Sequence, residues 1–202
     1  MAKLYFYFAA MNAGKSTTLL QAAFNYQERG MATMLWTAAV DDRGKQHAIE
    51  SRIGLSADAQ RFTPLTDLYA EIINANGISP IACVMVDEAQ FLTSQQVWQL
   101  AKIADEGNIP VLCYGLRTDF RGQLFEGSGT LLGIADALVE LKAVCHCGRK
   151  ATMNVRIDAH GLAVKEGDQT EIGGNNRYVA LCRHHFSEAM ATTHDETPNR
   201  LA

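Results

Sequence analysis

Residues 4–17 read Leu-Tyr-Phe-Tyr-Phe-Ala-Ala-Met-Asn-Ala-Gly-Lys-Ser-Thr, and this stretch decides the fold. An apolar run leads into a glycine-lysine-serine turn, and a helical pattern follows at once. This context predicts a phosphate-binding loop, because the backbone N–H groups of the turn and of the helix N-terminus face an anion. In that role Lys15 reaches the β- and γ-phosphates and Ser16 binds Mg²⁺. The alternative is an ordinary strand-to-helix turn capped by Ser16.

Outward from this loop, short apolar runs alternate with helical patterns. The predicted strands lie near 4–9, 32–38, 81–87, 110–114 and 137–144, and the predicted helices at 15–29, 66–75 and 94–106. A glycine or an Asn-Gly pair follows each of these helices, as is typical of helix C-termini. The alternation predicts the α/β class, with a mostly parallel sheet flanked by helices.

Two regions depart from this alternation. Residues 41–64 mix charges with glycines and a proline, so we predict a long mobile loop that serves as a lid. After about residue 143 the pattern predicts a small module of hairpins, with strands at 151–157, 162–165 and 178–181 and a helix at 185–191. The predicted domains are 1–142 for nucleotide binding, 143–192 for the small module and 193–202 for a flexible tail.

The composition argues against several classes of partner and location. The chain has 202 residues and a net charge of −4, from 18 lysines and arginines against 22 aspartates and glutamates. This balance argues against a nucleic-acid partner, which needs a clustered basic surface. No apolar run approaches the roughly 18 residues of a membrane helix, so no membrane is expected. A closed disulfide framework cannot use five cysteines, and we expect a reduced, cytoplasmic protein.

A second motif, Cys-Val-Met-Val-Asp-Glu at 83–88, is an apolar strand that ends in two carboxylates. Asp87 fits the strand-end carboxylate that orients the Mg²⁺ shell in phosphate-loop proteins. Because side chains alternate along a strand, we expect Glu88 to point elsewhere, toward whatever attacks the γ-phosphate, and it is the candidate base. Two alternatives stay open: a surface carboxylate that caps the next helix, and a glutamate that activates water in an ATPase.

A third motif combines Cys-His-Cys at 145–147 with Cys-Arg-His-His at 182–185. Thiolate and imidazole donors suit a closed tetrahedral Zn²⁺ site. Residues i and i+2 of an extended segment face the same way, so both thiols of the first cluster can reach one metal. The predicted ligands are Cys145, Cys147, Cys182 and His185. His184 and His146 are alternatives for the fourth position, and buried free thiols are the alternative to a metal site.

The fourth motif is the segment 114–125, which follows a strand whose carboxyl end opens on the nucleotide crevice. Glycines at 115 and 122 predict a loop here. Apolar and aromatic side chains on and near this loop can form a slot for a flat base. These side chains are Phe91, Leu116, Phe120 and Phe125. Each of them alone would be interpreted as a core residue.

Together the motifs resemble thymidine kinases of the cytosolic, zinc-containing type, in their compact bacterial form. The matching stretches are Ala-Met-Asn-Ala-Gly-Lys-Ser-Thr at 10–17, Val-Asp-Glu-Ala-Gln-Phe at 86–91, and the segments 114–122, 145–150 and 172–178. They stand in the family's order and span residues from about 3 to 186. The resemblance implies a P-loop (RecA-like) sheet and a zinc-ribbon-like module that carries a lasso loop.

The resemblance also implies a reaction, the transfer of the γ-phosphate of ATP to the 5′-hydroxyl of thymidine to give dTMP. Glu88 would deprotonate that hydroxyl. The implied ATP and Mg²⁺ site comprises Ala9, Ala10, Met11, Asn12, Ala13, Gly14, Lys15, Ser16, Thr17, Asp87 and Gln90. The implied thymidine site comprises Met11, Phe91, Leu116, Phe120, Phe125, Gly173 and Tyr178. The lasso would grip thymine through backbone groups, and the Zn²⁺ would anchor its two ends.

The family also implies a homotetramer inhibited by dTTP and a role in nucleoside salvage for DNA synthesis. Ala9 stands where a strict phosphate loop has glycine, the cysteine pair is one residue closer than in many relatives, and Arg43 and Arg52 receive no role. The competing functions are a P-loop ATPase switch that docks a macromolecule on its zinc module, and a kinase for another nucleoside.

Overall fold

The structure is a computed structural model that describes residues 1–40, 47–170 and 177–191. The helices are α1 (Lys15–Gln27), α2 (Leu68–Ile78), α3 (Ser94–Asp105), α4 (Glu126–Ile134) and α5 (Arg183–Ala191), and a 3-10 turn covers Ala89–Phe91. The strands are β1 (Leu4–Ala9), β2 (Thr33–Ala38), β3 (Ala48–Glu50), β4 (Ser56–Asp58), β5 (Gln60–Phe62), β6 (Cys83–Val86), β7 (Val111–Leu116), β8 (Ala137–Glu140), β9 (Ala143–Val144), β10 (Lys150–Ala151), β11 (Met153–Arg156) and β12 (Tyr178–Leu181).

The central sheet has six strands in the order β5-β2-β6-β7-β1-β8, and every neighbouring pair is parallel. This confirms the predicted α/β architecture. β1 and β2 follow each other in sequence, yet β6 and β7 lie between them. The carboxyl ends of parallel strands meet at one edge, and a ligand crevice opens where the strand order reverses. The segments after β1, β6 and β7 therefore meet at this edge.

The two faces of the sheet bury different side chains, because neighbouring residues of a strand point to opposite faces. Leu4 and Phe6 lie in a core cluster with α2, α3 and α4. Tyr5 and Tyr7 pack against a second cluster, which contains α1. The two cysteines outside the predicted metal cluster, Cys83 and Cys113, are strand thiols buried in these clusters.

The structure corrects the predicted end of α2 at residue 75. The helix begins after Asp67, whose side chain accepts a hydrogen bond from the Ala70 N–H, and continues to Ile78. Gly77 keeps a helical backbone, so it does not end the helix. Asn76 instead accepts the N–H of Ile81 at 2.9 Å and fixes the return toward β6.

Other predicted elements also differ. Residues 41–64 are not one loop, because β3 and β4 form a hairpin and β5 is an edge strand parallel to β2. The predicted strand at 137–144 is split into β8 and β9. The helix α4 is not predicted from the sequence, because its glycines weaken a helical pattern. One of these glycines, Gly127, is required by packing, because a Cβ there would lie 2.6 Å from the carbonyl oxygens of Ala89 and Leu92.

The residues after 142 form small antiparallel hairpins, β9 with β10 and β11 with β12, and α5 follows them. The predicted strand at 162–165 is only a single bridge between Ile157 and Ala163. The buried side chains of these hairpins form a third cluster. Ala10 belongs to this cluster and Ala13 packs against it, and both residues follow β1. None of the helices in the described residues combines the length and the apolar character that a bilayer-spanning helix needs.

Candidate active site

The loop between β1 and α1 has the conformation of a phosphate-binding turn. Asn12 and Gly14 have φ angles of 65° and 77°, and Gly14 directly precedes the first helical residue. Left-handed residues let a short loop turn its N–H groups toward one point, and glycine adopts this conformation without strain. Lys15 follows, and its ammonium donates to the carbonyl oxygen of Ala10 at 3.1 Å.

Ala9 is explained by its position in β1. It is buried and pairs with Leu116 in the parallel ladder, so it belongs to the strand and not to the turn. Its φ is negative, and a Cβ is compatible with that backbone. The loop is also held from outside, because the Met11 N–H donates to Asn154 Oδ1 at 2.7 Å.

Asp87 lies directly after β6 and is 4% exposed. Its carboxylate accepts hydrogen bonds from the Ser16 hydroxyl and from the Glu88 N–H, the latter at 3.0 Å. Burial raises the pKa of Asp87, and the charge of Glu88 raises it further, whereas Ser16 and Lys15 act in the opposite direction. The two predicted phosphate-loop motifs are thus in contact through Ser16 and Asp87.

Glu88 has a left-handed backbone, with φ 51° and ψ 37°. Few non-glycine residues adopt this conformation, and those that do cluster at functional sites. We expected strand alternation to separate the two carboxylates, but β6 ends at Val86. The left-handed turn separates them instead, and both carboxylates line the same cleft.

Gln90 orients the Glu88 carboxylate. It is 2% exposed, and its Nε2 donates to Glu88 Oε2. Its Oε1 accepts the N–H of Leu116 at 3.0 Å. Both ends of the amide are therefore fixed. A Cβ on Gly115 would lie 2.9 Å from Gln90 Oε1, so this contact requires glycine there.

A cleft of about 500 Å³ opens at this edge of the sheet. The predicted residues that line it are Met11, Asn12, Ala13, Gly14, Lys15, Ser16, Thr17, Asp87, Glu88, Gln90, Phe91, Leu116, Phe120, Phe125 and Tyr178. Ala9 and Ala10 are buried behind the loop. Gly173 and Arg43 lie outside the described residues. A phosphate loop, two carboxylates and an apolar slot thus share one cavity.

The apolar part of the cleft is held by ring contacts. Phe91 and Phe125 meet edge to face, with ring centroids 5.9 Å apart. The Arg156 guanidinium lies 3.7 Å above the centre of the Phe120 ring. Aromatic walls fixed in this way suit a flat apolar face, because stacking requires a ring of defined orientation.

The cleft is also lined by residues that the sequence does not mark as site residues, among them Thr118, Asp119, Asn154 and Gln169. Arg52, for which the sequence predicts no role, lines it as well. Asp119 is 3% exposed and accepts N–H groups of the turn that follows it as well as the Gln169 amide. Asn154 reaches the cleft from a strand 143 residues away from its partner Met11. No local pattern marks a contact of that separation.

A second group of side chains could hold a metal ion. One donor atom from each of Cys145, Cys147, Cys182 and His185 lies within 4.8 Å of the others. The His185 Nδ1 lies 3.4 Å from Cys145 Sγ and 3.3 Å from Cys182 Sγ. Burial alone would raise the pKa of the Cys145 thiol, but hydrogen bonds from the backbone of Cys147 and Cys182 and from His185 lower it. These are the conditions in which a thiolate binds a metal.

The alternative histidines are placed differently. His146 is exposed, and its Nδ1 is 3.9 Å from Cys145 Sγ. His184 is also exposed and faces Glu188 at 3.3 Å. His184, His185 and Glu188 form a second group of possible donors, which shares His185 with the first. The geometry therefore favours His185 as the imidazole of the thiol cluster.

Comparison with known proteins gives one consistent result. A family model described as thymidine kinase matches residues 2–186. A thymidine kinase of Novosphingobium aromaticivorans is 74% identical over 190 residues, which cover 94% of this chain and 99% of the relative. Those of Vibrio parahaemolyticus and Zymomonas mobilis are 60% and 59% identical over 94% of this chain and 99% and 98% of their own lengths.

Proposed function

The chain belongs to the thymidine kinase family, whose members are phosphotransferases with an alcohol acceptor, and we propose how its residues carry out the reaction. The reaction transfers the γ-phosphate of ATP to the 5′-hydroxyl of thymidine and gives dTMP and ADP. The observation that supports the proposal is the shared cleft, in which the phosphate loop and Glu88 lie beside an aromatic slot. Donor and acceptor can therefore meet at one point.

Glu88 is the proposed general base. The 5′-oxygen attacks the γ-phosphorus, the bond from phosphorus to the β,γ-bridging oxygen breaks, and the hydroxyl proton passes to the Glu88 carboxylate. The leaving group is ADP. Phosphoryl transfer depends mainly on positioning and charge stabilisation, so a fixed base matters more than a strong one. Gln90 supplies that fixation from a buried position.

The residues of the phosphate loop fit ATP with Mg²⁺. Hydroxyl and carboxylate oxygens are the ligands that Mg²⁺ prefers, and Ser16 and Asp87 offer one of each in direct contact. A nearby cation favours the ionised form of a carboxylate, which burial disfavours at Asp87. When bound, Mg²⁺ neutralises charge on the β- and γ-phosphates. Lys15 and the N–H groups of the loop would bind the same phosphates.

The aromatic slot is the proposed nucleoside site. Phe91 and Phe125 would pack against the base, and Phe120 closes the slot under Arg156. Tyr178, at the start of β12, would lie beside the sugar. Gly173, which we expected to contribute a backbone contact to thymine, belongs to a segment outside the described residues.

The thiol cluster is proposed as a structural zinc site. Three sulfurs and one imidazole nitrogen fit Zn²⁺, which takes four such ligands in a tetrahedron, and no position remains for a substrate. The ligands bring residues 145–147 together with residues 182–185, at the two ends of the segment that carries β10 to β12. A bound ion would therefore fix the position of β12 and of Tyr178.

We extend the proposal to organisation and regulation. The chain would consist of a nucleotide-binding domain at 1–142, a metal module at 143–192 and a tail at 193–202. It would form a homotetramer in the cytoplasm, and dTTP would inhibit it. Light scattering of the purified protein tests the assembly. The inhibition is tested by thymidine turnover at increasing dTTP concentration.

Product analysis tests the proposed reaction. The purified protein is incubated with Mg²⁺, ATP and thymidine, and the nucleotides are separated by chromatography. We expect one dTMP for each ADP formed, because the γ-phosphate passes directly to the acceptor. ADP accompanied by inorganic phosphate without dTMP would instead mean attack by water, and Glu88 would be the water-activating residue of an ATPase.

A further inference from the structure

Asn154 connects the small hairpin module to the phosphate loop. Its side chain is 3% exposed, and its Oδ1 accepts the Met11 N–H at 2.7 Å. A buried hydrogen bond of this kind is costly to break, because the remaining partner is left without water. The Met11 N–H is therefore engaged with β11 and is not available to the phosphates, so the phosphate cradle begins after residue 11.

The same strand also reaches the nucleoside side of the cleft. Asn154 and Arg156 are two residues apart on β11, so both point to one face of the hairpin. Arg156 is 4% exposed, stacks on Phe120 at 3.7 Å and donates to the carbonyl oxygen of Asp168 at 2.9 Å. One face of one strand thus holds both a phosphate-loop residue and an aromatic wall.

Apolar packing also connects the hairpin module to the phosphate loop. Ala10 is a buried member of the cluster formed by Cys145, Val155 and Cys182, and Ala13 packs against it. The outer surface of the phosphate loop therefore rests on the hairpin module. A displacement of β11 has to move the loop, the aromatic wall or both, because protein interiors are close-packed.

We propose that Asn154 is a positioning residue that couples ATP binding to nucleoside binding by fixing Met11. This inference rests on the proposed function, since it assigns the aromatic slot to the nucleoside. Met11 contributes to both proposed binding sites, because it belongs to the phosphate loop and also lines the cleft beside the aromatic slot. Because Asn154 holds the Met11 N–H, a shift of the loop that accompanies phosphate binding is passed to β11 and to the aromatic wall, and so changes nucleoside affinity. The coupling is reciprocal for binding free energies.

The test measures thymidine affinity by calorimetry, with and without Mg²⁺ and a non-hydrolysable ATP analogue. In the parent protein we expect the analogue to tighten thymidine binding by about fivefold or more, at the lower end of measured couplings. Asn154→Leu keeps the size of the side chain but removes the acceptor. The ratio of the two affinities should fall below about twofold, and this ratio is the readout, because Asn154 also lines the cleft and its replacement can change thymidine affinity by itself.

Asn154→Asp restores an acceptor oxygen and should restore the ratio. Its charge weakens binding of the analogue, but the analogue is used at saturation, so the ratio is unaffected. Asn154→Ser, whose hydroxyl is too short to reach Met11, is measured in parallel and replaces the leucine variant if that does not fold. The matched control is Met153→Ala, which truncates a neighbouring side chain on the other face of β11, near Gly122 and Phe186.

Three outcomes would overturn the inference: no coupling in the parent protein, full coupling in Asn154→Leu or Asn154→Ser, or equal loss in Met153→Ala. The last would show a general loosening of the module. Failure of the proposed function has a different result, since thymidine would then not bind to any of the proteins, with or without the analogue.

Discussion

Asp87 and Glu88 are adjacent carboxylates with different surroundings, and the difference supports the different roles that we propose for them. Asp87 is buried and accepts hydrogen bonds from Ser16 and from the Glu88 N–H. Glu88 is only partly buried, and the Gln90 amide donates to it. Environments that separate two neighbouring acids are typical of acid and base assignments in enzymes. Asp87 fits the metal side of the site and Glu88 the acceptor side.

Glu88→Gln should lower kcat by about 10²-fold or more, because an amide cannot accept the proton of the 5′-hydroxyl. The shape of the side chain is nearly unchanged, so the affinity for an ATP analogue should stay within about twofold of the parent value. Steady-state kinetics with thymidine and a binding titration measure the two effects. A near-normal kcat in this variant would remove Glu88 from the role of base.

Asp87 predicts a pH dependence of stability. Burial and the Glu88 charge raise the pKa of Asp87, whereas an unfolded chain has an aspartate pKa of about 3.9. The native state then binds more protons than the unfolded state, so its free energy of unfolding falls as the pH rises through this interval. Asp87→Asn removes the ionisable group, so the variant should not show this fall in the free energy of unfolding.

The measurement is thermal unfolding of both proteins without nucleotide or Mg²⁺, from about pH 5 to pH 8. The melting temperature of Asp87→Asn, relative to the parent, should increase over this range. Groups that do not interact with Asp87 titrate equally in both proteins and cancel in the difference. A difference that is constant with pH, or that shrinks, would show that Asp87 is not destabilised by its burial.

Gly115 and Gln90 show how two elements fix Glu88, the proposed base. Gly115 lies in β7, and Gln90 in the 3-10 turn after β6. A Cβ at Gly115 would lie 2.9 Å from Gln90 Oε1 and 3.0 Å from its backbone nitrogen. Gly115→Ala should therefore displace Gln90 and release Glu88. We expect kcat to fall by about tenfold or more, since small misplacements of catalytic groups have effects of this size.

Gly133→Ala is the matched control for this prediction. Gly133 lies in α4, and a Cβ there would meet no atom within 4 Å. Gly133 lies in the last turn of the helix, where alanine gains less over glycine than the roughly 0.5–1 kcal/mol of a helix interior, so this variant should be active and at least as stable as the parent. Steady-state kinetics and melting curves compare the two. Equal kcat values in Gly115→Ala and Gly133→Ala would contradict the role of Gln90.

Cys182 is one of the proposed ligands in the metal module. Cys182→Ala removes one of the four proposed ligands, so the protein should contain no stoichiometric zinc by elemental analysis. With β12 released, the thymidine KM should rise by about tenfold, on the scale of a misplaced binding group. Cys113→Ala is the control, because this thiol is buried in the central sheet and should leave the zinc content unchanged. A parent protein without zinc would end this account of the cluster.

How much the sequence could predict differs between elements. β1 and α1 were predictable, because an apolar run and the glycine-lysine-serine turn mark them locally. The end of α2 was not, because Gly77 stays helical and the Asn76 side chain binds Ile81 beyond the helix. α4 was missed because the reason for Gly127 is its close contact with Ala89 and Leu92, which only the folded chain brings near.

The same distinction holds for the cleft. The phosphate loop, both carboxylates and the thiol cluster are short motifs whose members lie close in sequence or in a recognisable order. Asn154 and Arg156 carry no such pattern, and their partners Met11 and Phe120 are distant in the chain. Supporting contacts of this kind are fixed by tertiary packing, so the sequence predicts the proposed reacting groups but not the residues that hold them in place.

At the level of the complete fold, the order of the strands brings the functional parts together. The phosphate loop follows β1, the two carboxylates follow β6 and the aromatic segment follows β7, and these strands lie close together in the sheet. The hairpin module covers this edge and packs against Ala10 and Ala13 of the phosphate loop. The proposed ATP and acceptor sites are consequently joined through one set of contacts, which is the arrangement a direct transfer requires.

The most direct test of the account measures ADP release with Mg²⁺ and ATP, alone and with each of the four common deoxynucleosides. We predict that thymidine switches turnover on, and that deoxycytidine and the purine nucleosides do so poorly, because the acceptor hydroxyl has to be held beside Glu88. Turnover that is indifferent to every nucleoside would contradict the account. The cleft would then serve ATP hydrolysis, and the metal module would be a docking site for a macromolecule.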